Sequence, residues 1–263
     1  MTRPGPQDIS RMSAALVAAR RDVSPIPALT VEFPDMTPAD AYAVQQGLVS
    51  TLIAQGDSII GYKLGLTSRP MQELLGVDQP DYAPVLASTV YADGATIALE
   101  RFIAPRMEAE ICVVLDAPLS GPHCTTAQVW GATRGLVAAL EIVDSRIAEW
   151  KISLPDTIAD LASNGAVAFG SRVVALGEFD PALIGMVFTR NGDLVSTGAG
   201  AAAFGGPLDA VAWLANTLYP LGVTLPAGAI IMTGALHAAV PLASGDVFRA
   251  DFDRLGPITV RAV

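Results

Sequence analysis

The chain has 263 residues, of which 51% are hydrophobic and only 16% are charged, and its formal charge is −10. The acidic balance and the lack of a basic cluster argue against nucleic acid as a partner. No apolar stretch has the length of a membrane span or the pattern of a signal peptide, so we expect a cytoplasmic protein with reduced thiols at Cys112 and Cys124. A chain this apolar is expected to bury part of its surface between subunits, which predicts a homo-oligomer.

Residues 1–57 are predicted to form a helical N-terminal region. Helical periodicity covers residues 8–21. A second helix should begin after Thr37, a capping residue that is followed by a proline, and should end at Gly56. From residue 58 onward the pattern changes, which predicts a second region over residues 58–263.

Short strands separated by turns dominate this second region. The expected strands cover residues 59–66, 107–115, 136–143, 186–190, 193–196, 230–233, 247–252 and 258–263, and short helices are expected over residues 68–75 and 207–219. Asn191-Gly192 between two alternating segments predicts a hairpin with a type I′ turn. Irregularly spaced strands with few helices between them predict an α+β fold, in which a mixed sheet curled on itself follows the N-terminal helices.

Three glutamates stand out because they lie in or beside apolar strands. Glu108 and Glu110 begin one strand, and residues i and i+2 of a strand point to the same face. Glu141 lies inside a second apolar run and has no obvious solvated face. An exposed edge strand would explain the first two glutamates equally simply. Three buried carboxylates would need a cation among them, and oxygen ligands favour Mg²⁺ or Mn²⁺.

Lys63 lies in an apolar strand with a glycine on either side, at Gly61 and Gly65. It is a surface lysine with a buried stem, a cation that faces an anionic substrate, or a base whose pKa is lowered beside a metal. His237 follows a glycine-containing strand, and it either lines a pocket or has no role. The sequence alone leaves these alternatives open.

A polar cluster, Asp160, Ser163 and Asn164, precedes a predicted strand and is typical of a capped turn. Shortly before it, Asp144 and Arg146 follow the strand that contains Glu141. We expect these two residues to form an internal ion pair that holds the end of the strand. Both groups therefore have a structural interpretation.

Several segments occur in the same order as in one enzyme family. They are residues 61–68, 75–82, 105–111, 140–147, 211–218 and 233–236, with Gly245-Asp246 and Leu255-Gly256 near the end. Together they resemble the 2-keto-4-pentenoate hydratase and 4-oxalocrotonate decarboxylase family, within the fumarylacetoacetase-like superfamily. The resemblance covers roughly residues 35–263. It implies a mixed β-roll that follows the helical N-terminal part and assembles into a homo-oligomer.

The resemblance implies a divalent metal held by the same three glutamates. It further implies catalytic roles for Lys63, Asp81 and Ser163, of which either Lys63 or Asp81 would transfer protons. Substrate contacts are expected from Leu66, Thr67, Ser68, Thr233 and His237.

The implied activity is a metal-dependent hydratase that adds water to a 2-hydroxy-2,4-dienoate and gives a 4-hydroxy-2-oxo acid, in aromatic or related catabolism. A decarboxylase that acts on a 2-oxo-3-enedioate is the alternative, and a third is an inactive partner subunit, since members of the family can associate with another enzyme of their pathway. Three positions depart from the family pattern, namely Ala83, Leu161 and Asn164. They are expected near the substrate, so they put the identity of the substrate in doubt more than the metal.

Overall fold

The computed structural model describes residues 3–68, 72–73 and 77–263. The α-helices in these ranges are α1 (Pro6–Asp22), α2 (Leu29–Glu32), α3 (Pro38–Ala54), α4 (Thr126–Ala132), α5 (Leu154–Ala159) and α6 (Pro207–Leu218). The short helix expected over residues 68–75 falls largely outside the described residues. Within the described part of the chain, no helix combines the length and the apolarity that crossing a bilayer would require.

The N-terminal helices begin and end close to the expected positions. Thr37 caps α3, because its side chain accepts a hydrogen bond from the backbone N–H of Asp40 at 3.3 Å. Arg3 reaches the same cap and forms an ion pair with the carboxylate of Asp40 at 2.9 Å. The helix ends at Ala54, shortly before Gly56, whose φ of +101° favours glycine.

The larger sheet is mixed and has eight strands within the described residues. They are β1 (Ile59–Gly65), β2 (Asp81–Leu86), β3 (Val90–Ala92), β5 (Arg106–Leu115), β6 (Thr133–Val143), β7 (Asn164–Phe169), β10 (Ile230–Ala235) and β11 (Val240–Pro241). Their order is β2-β1-β10-β5-β6-β7-β3, and β11 pairs with β5. The β1–β10 and β3–β7 pairs are parallel, and the other pairs are antiparallel.

The smaller sheet has five strands within the same residues. They are β4 (Thr96–Ile97), β8 (Gly185–Arg190), β9 (Asp193–Ala199), β12 (Val247–Phe252) and β13 (Gly256–Ala262), in the order β4-β13-β12-β8-β9. The expected hairpin joins β8 to β9. Its turn residues Asn191 and Gly192 have φ values of 56° and 90°, and positive φ at both central positions is what a type I′ turn requires.

The main core lies between the two sheets. Alternate residues of β5, including Met107 and Ile111, pack with Phe188 and Phe248 of the smaller sheet. Because side chains alternate along a strand, the intervening residues of β5 point to the opposite face of the larger sheet. The fold is therefore a helical N-terminal part followed by a curled mixed sheet, which confirms the predicted class.

The N-terminal helices form a second core against the larger sheet. Leu16 of α1 and Leu48 of α3 belong to a buried cluster that also contains Ala83 of β2 and Leu161. In addition, the side-chain amide of Gln45 donates to the carbonyl oxygens of Tyr82 at 3.0 Å and Ile158 at 2.7 Å. These contacts tie the helices to β2, to α5 and to the segment that follows α5. The domain division at residue 57 stays a prediction.

Candidate functional site

The three glutamates lie together on the face of the larger sheet that is turned away from the main core. Glu108 of β5 is the register partner of Glu141 of β6, and Glu110 lies two residues farther along β5. Each carboxylate offers an oxygen that lies within 4.8 Å of the other two. Glu110 and Glu141 are 1% and 0% exposed, and Glu108 is partly buried. The arrangement is a buried cluster of three carboxylates.

Two of these carboxylates have one oxygen held and the other free. Oε2 of Glu110 accepts a hydrogen bond from the backbone N–H of Gly234 at 3.0 Å, and Oε1 of Glu141 accepts one from Nδ2 of Asn164 at 2.8 Å. Their second oxygens, Oε1 of Glu110 and Oε2 of Glu141, are buried and have no partner among the described residues. Buried oxygens without partners are costly unless a ligand satisfies them. An all-oxygen donor set of this kind fits a hard divalent cation.

The charges of the cluster also favour a cation. Burial and then the neighbouring Glu141 carboxylate raise the pKa of Glu108 to about 7. The same two causes raise the pKa of Glu110 well above its usual value. A divalent cation among the three glutamates would replace the protons that these raised pKa values retain near neutral pH.

Lys63 on β1 is buried beside this cluster and is 3% exposed. Its Nζ donates to the carbonyl oxygen of Ala162 at 2.8 Å and lies 3.3 Å from Oε1 of Glu141. Burial lowers the pKa of Lys63, but the charges of Glu141, Asp81 and the other two glutamates outweigh burial and raise the pKa. The side chain is therefore a fixed ammonium group.

Asp81 begins β2 and is the register partner of Gly65 on β1. It is 1% exposed, and its Oδ1 has no partner among the described residues. Burial raises its pKa to about 6, although the charge of Lys63 opposes this shift. A Cβ atom on Gly65 would collide with Oδ1 of Asp81, so this close approach requires glycine. Asp81 is thus a buried carboxylate that can exchange a proton near neutral pH.

A strained turn after α5 provides the hydrogen-bond partners of Lys63 and Glu141. Leu161, Ala162 and Ser163 have φ values of 56°, 48° and 56°, which is the left-handed region that residues with a Cβ avoid at a cost of roughly 1–2 kcal/mol each. The turn presents the carbonyl oxygen of Ala162 to Lys63, and the next residue, Asn164, presents its amide to Glu141. Strain of this kind persists where the surrounding structure holds it, and it is frequent at functional sites.

The members of the polar cluster near this turn, Asp160, Ser163 and Asn164, have different partners. Asp160 forms a buried ion pair with Arg146. The expected pairing of Asp144 with Arg146 is therefore wrong, because Asp144 instead accepts hydrogen bonds from the backbone N–H groups that precede β5. The hydroxyl of Ser163 lies 3.2 Å from that of Thr157. The capped-turn interpretation missed Asn164, whose side chain is bonded to a glutamate.

The expected substrate-binding residues fall into two groups. Thr67 lies in the segment after β1 with Leu66 and Ser68, and its side chain packs so closely on Gly234 that a Cβ there would collide with it. Thr233, on β10, donates its hydroxyl hydrogen to the carbonyl oxygen of Ile111 at 2.8 Å. Since Gly234 binds Glu110, both Thr67 and Thr233 adjoin the carboxylate cluster.

His237 is held by the backbone on both sides of its ring. Nε2 accepts a hydrogen bond from the backbone N–H of Ala109 at 3.0 Å, so Nδ1 carries the proton and donates to the carbonyl oxygen of Ala238 at 2.7 Å. The ring also stacks on Phe188, with centroids 4.3 Å apart, and burial lowers its pKa. Both nitrogens are occupied, and the substrate contact of His237 stays a prediction.

The three departures from the family pattern occupy different places. Ala83 and Leu161 belong to the apolar cluster formed with the N-terminal helices, whereas Asn164 contacts Glu141. The sequence also missed two backbone groups, the N–H of Gly234 and the carbonyl of Ala162. Only the glycine in the strand that precedes His237 hinted at the first, and nothing in the residue types indicated the second.

Comparison with known proteins places this chain in a family. Residues 62–263 match the fumarylacetoacetate (FAA) hydrolase C-terminal family. The chain is 42% identical to a 2-keto-4-pentenoate hydratase of Paraburkholderia xenovorans (strain LB400) over 253 residues, which cover 96% of this chain and 94% of the relative. It is 38% identical to a 4-oxalocrotonate decarboxylase of Pseudomonas sp. (strain CF600) over 245 residues, which cover 93% of each chain.

A solved structure is similar over almost the whole chain. It is the 4-oxalocrotonate decarboxylase from Pseudomonas putida G7, complexed with magnesium and adipate. The TM-score is 0.96 at 37% sequence identity, and the alignment covers 99% of both chains. On the extent of these matches, the chain belongs to the fumarylacetoacetate hydrolase C-terminal family.

Proposed function

We propose that this protein is a divalent-metal-dependent hydratase that adds water to a 2-hydroxy-2,4-dienoate and releases a 4-hydroxy-2-oxo acid. The observation that carries the proposal is the joining of two features in one buried site. A cluster of three carboxylates with free oxygens adjoins an ammonium group and a carboxylate of raised pKa. The relative from Paraburkholderia xenovorans, named for this reaction, supports the substrate class.

Glu108, Glu110 and Glu141 would hold the cation, with Mg²⁺ or Mn²⁺ as the expected ions. Bound there, the cation would supply Lewis-acid polarisation of the 2-oxo group of the substrate. Asn164 and the N–H of Gly234 each hold one glutamate oxygen, so they orient the other oxygen of that glutamate. The site is therefore ordered before a ligand arrives.

Lys63 and Asp81 divide the remaining chemistry. Lys63 is an unsuitable base because the surrounding carboxylates keep it protonated, and its Nζ instead stabilises negative charge that develops on the dienolate. The dienol first loses its 2-hydroxyl proton and gains a proton at C5, which gives a conjugated 2-oxo-3-enoate. Asp81 accepts at Oδ1 the proton that water loses as the C4–O bond forms, and it returns this proton to C3 of the resulting enolate. Burial of both groups excludes bulk water from these transfers.

The proposal also assigns substrate contacts, an oligomeric state and a place in metabolism. Ser163 is assigned the positioning of substrate or water, and Leu66, Thr67, Ser68, Thr233 and His237 are assigned substrate contacts, on the resemblance to the family. A homo-oligomer follows from the apolar composition, and light scattering tests it. A cytoplasmic location is proposed on the sequence, and a role in aromatic or related catabolism on the resemblance to the family.

A decarboxylase of 2-oxo-3-enedioates is the second candidate. The similarity to the Pseudomonas putida G7 decarboxylase at a TM-score of 0.96 favours it. The same fixed ammonium group would stabilise the dienolate that forms as the distal carboxylate leaves. An inactive partner subunit is less consistent with the site, because all three glutamates and Lys63 are present.

One experiment separates the candidates. The purified protein with Mg²⁺ is incubated with 2-hydroxypenta-2,4-dienoate and, separately, with 2-oxohex-3-enedioate. For a hydratase we expect the ultraviolet absorbance of the dienol to disappear and a C4-hydroxylated product to form. Release of CO₂ from the diacid, with no hydration of the dienoate, would establish the decarboxylase instead.

A matched variant tests the assignment of the metal ligands. Glu108→Gln keeps the shape of the side chain but removes its charge, so turnover of either substrate should be abolished. Calorimetric titration with Mg²⁺ should show binding to the unaltered protein alone. Turnover by Glu108→Gln equal to that of the unaltered protein would show that the ligand assignment is wrong.

A further inference from the structure

A cavity of about 500 Å³ lies apart from the carboxylate cluster, between the N-terminal helices and β7. None of the three glutamates, Lys63 or Asp81 lines it. Four arginines and two carboxylates line it in a chain whose formal charge is −10. Its size is that of a small-molecule site, for which roughly 300–1,000 Å³ is typical.

Arg20 of α1 is the unusual member of this lining. Its guanidinium donates only two long hydrogen bonds, each of 3.4 Å, to the carbonyl oxygens of Asn164 and Gly165. No carboxylate of the described residues lies within ion-pair distance of it. Burial and then the charge of Arg146 lower its pKa to about 10, although the charges of nearby carboxylates oppose this shift. A partly buried cation with so few hydrogen-bond partners is costly, and an anion in the cavity would reduce this cost.

The neighbouring arginines, unlike Arg20, have close hydrogen-bond partners. Arg21 forms hydrogen bonds of 2.7 and 2.8 Å with the carboxylate of Asp22. Arg146 is bonded to the side chain and the backbone of Asp160 and to the carbonyl oxygen of Asn164. Arg20 is thus the one arginine of the three that has charge to offer a ligand.

Two more donors face the same cavity. Nη1 of Arg101 donates to the hydroxyl oxygen of Tyr91 at 2.9 Å, and no acceptor for the hydroxyl hydrogen of Tyr91 occurs among the described residues. Of the two lining carboxylates, Asp144 already accepts three backbone hydrogen bonds, and Glu100 is exposed to solvent. Arg20, Arg101 and the hydroxyl of Tyr91 can therefore donate hydrogen bonds to a ligand in the cavity.

The rest of the wall is partly polar and partly apolar. Its polar side chains are Gln55, Ser88 and Thr89, and its apolar ones are Val17, Val23, Leu52, Phe102, Ile103 and Ala166. An inorganic anion would leave the apolar side chains without contacts, whereas an organic acid would use both kinds of wall. We propose that this cavity binds a small organic carboxylate with an apolar body, whose carboxylate group pairs with Arg20 and Arg101.

Benzoate is a suitable probe, and titration calorimetry of the full chain in EDTA measures its binding. EDTA removes any cation that would bind a carboxylate at the glutamate cluster, and the Arg20 variant then separates binding in the cavity from binding beside Lys63. We expect one benzoate per chain, with benzyl alcohol, which lacks the charge, binding at least about ten-fold more weakly. Arg20→Gln should raise the dissociation constant of benzoate by about ten-fold or more.

Arg249→Gln is the matched control, because Arg249 pairs with Asp251 at the surface and does not line the cavity, so the variant should bind benzoate as tightly as the unaltered chain. A thermal melt of each variant verifies that it is folded. Should Arg20→Gln fold poorly, Arg101→Gln alters an exposed residue and should weaken binding in the same direction. The proposal is overturned if benzoate does not saturate the protein, or if folded Arg20→Gln and Arg101→Gln bind it as tightly as the unaltered chain.

Discussion

The two sheets differ in the solvent exposure of their strands. Strands of the larger sheet, such as β2 and β6, are buried along nearly their whole length. Strands of the smaller sheet, such as β8 and β12, alternate between buried and more exposed residues. Charged residues in the smaller sheet, including Arg249 and Asp251, form ion pairs at the surface.

Because of this difference, a charged residue has a different effect on the free energy of folding in each sheet. On an alternating strand, a charged residue occupies the solvated face and contributes little. On a strand that is buried on both faces, every ionised group carries a desolvation cost that some partner must offset. Lys63, Asp81 and the three glutamates all lie on the larger sheet. We therefore expect substitutions of charged residues to have large effects in the larger sheet and small ones in the smaller sheet.

The largest contrast should come from Glu110→Gln and Asp251→Asn, which make the same chemical change in the two sheets. Loss of a candidate metal ligand should lower kcat/KM at least about a thousand-fold and abolish Mg²⁺ binding. The exposed Asp251→Asn should leave both unchanged, because its ion pair with Arg249 is solvated. Steady-state kinetics and calorimetry measure the two effects, and equal effects would remove the distinction between the sheets.

Lys63→Met should give the next largest effect. The change removes the buried ammonium beside Glu141, so kcat should fall about a hundred-fold through loss of charge stabilisation. Lys151→Met is the matched control, since Lys151 pairs with Glu149 at the surface. If kcat of Lys63→Met stays within about two-fold of the unaltered protein, Lys63 has only a structural role.

Asn164→Ala should have a smaller effect, which should appear mainly in the affinity for the metal. Removal of its hydrogen bond to Glu141 should weaken Mg²⁺ binding by about ten-fold, the lower end of what groups behind metal ligands contribute. Asn216→Ala serves as the control, because its amide holds the backbone around Cys124 instead of a glutamate. Titration calorimetry compares them, and unchanged Mg²⁺ affinity in Asn164→Ala would show that Glu141 is oriented without it.

The pH dependence of stability offers a further test of the larger sheet. In the metal-free protein the pKa values of Glu108 and Asp81 are raised to about 7 and about 6. The folded state therefore binds more protons than the unfolded state between about pH 4.5 and 7, so the free energy of unfolding should fall as pH rises through this window. Thermal melts in EDTA at pH 5 and pH 8 should show a lower Tm at pH 8.

Mg²⁺ at pH 8 should restore most of this loss, because it replaces the protons of the glutamates. Asp251→Asn should show the same pH trend as the unaltered protein. A Tm in EDTA that rises from pH 5 to pH 8 would contradict the raised pKa values of the cluster.

The sequence identified site residues where a charged side chain occurs in a strand that is expected to be buried. Glu108, Glu110 and Glu141 could be selected because a carboxylate in an apolar run needs an explanation, and the alternation of a strand places two of them on one face. The N-cap of α3 and the Asn191-Gly192 turn are also local signals, and the structure contains both.

What could not be predicted depends on pairs that are distant in the chain. Arg146 could have paired with several carboxylates, and only the turn after α5 brings Asp160 to it. From the sequence, Asn164 is typical of a turn. Its contact with Glu141 follows from the register between β6 and β7, which the sequence does not show. The environment of Arg20 is likewise set by the packing of α1 on β7, which no local pattern indicates.

The direct pairing of Glu108 with Glu141 across β5 and β6 has a consequence for how the sheet assembles. Like charges directly opposite each other on neighbouring strands destabilise that pairing. A slip by one residue would relieve the repulsion but would turn the glutamates toward the main core, where Met107 and Ile111 now lie. A cation that binds both glutamates would therefore select the native alignment of two central strands, so that availability of the metal ion during synthesis would affect the yield of folded protein.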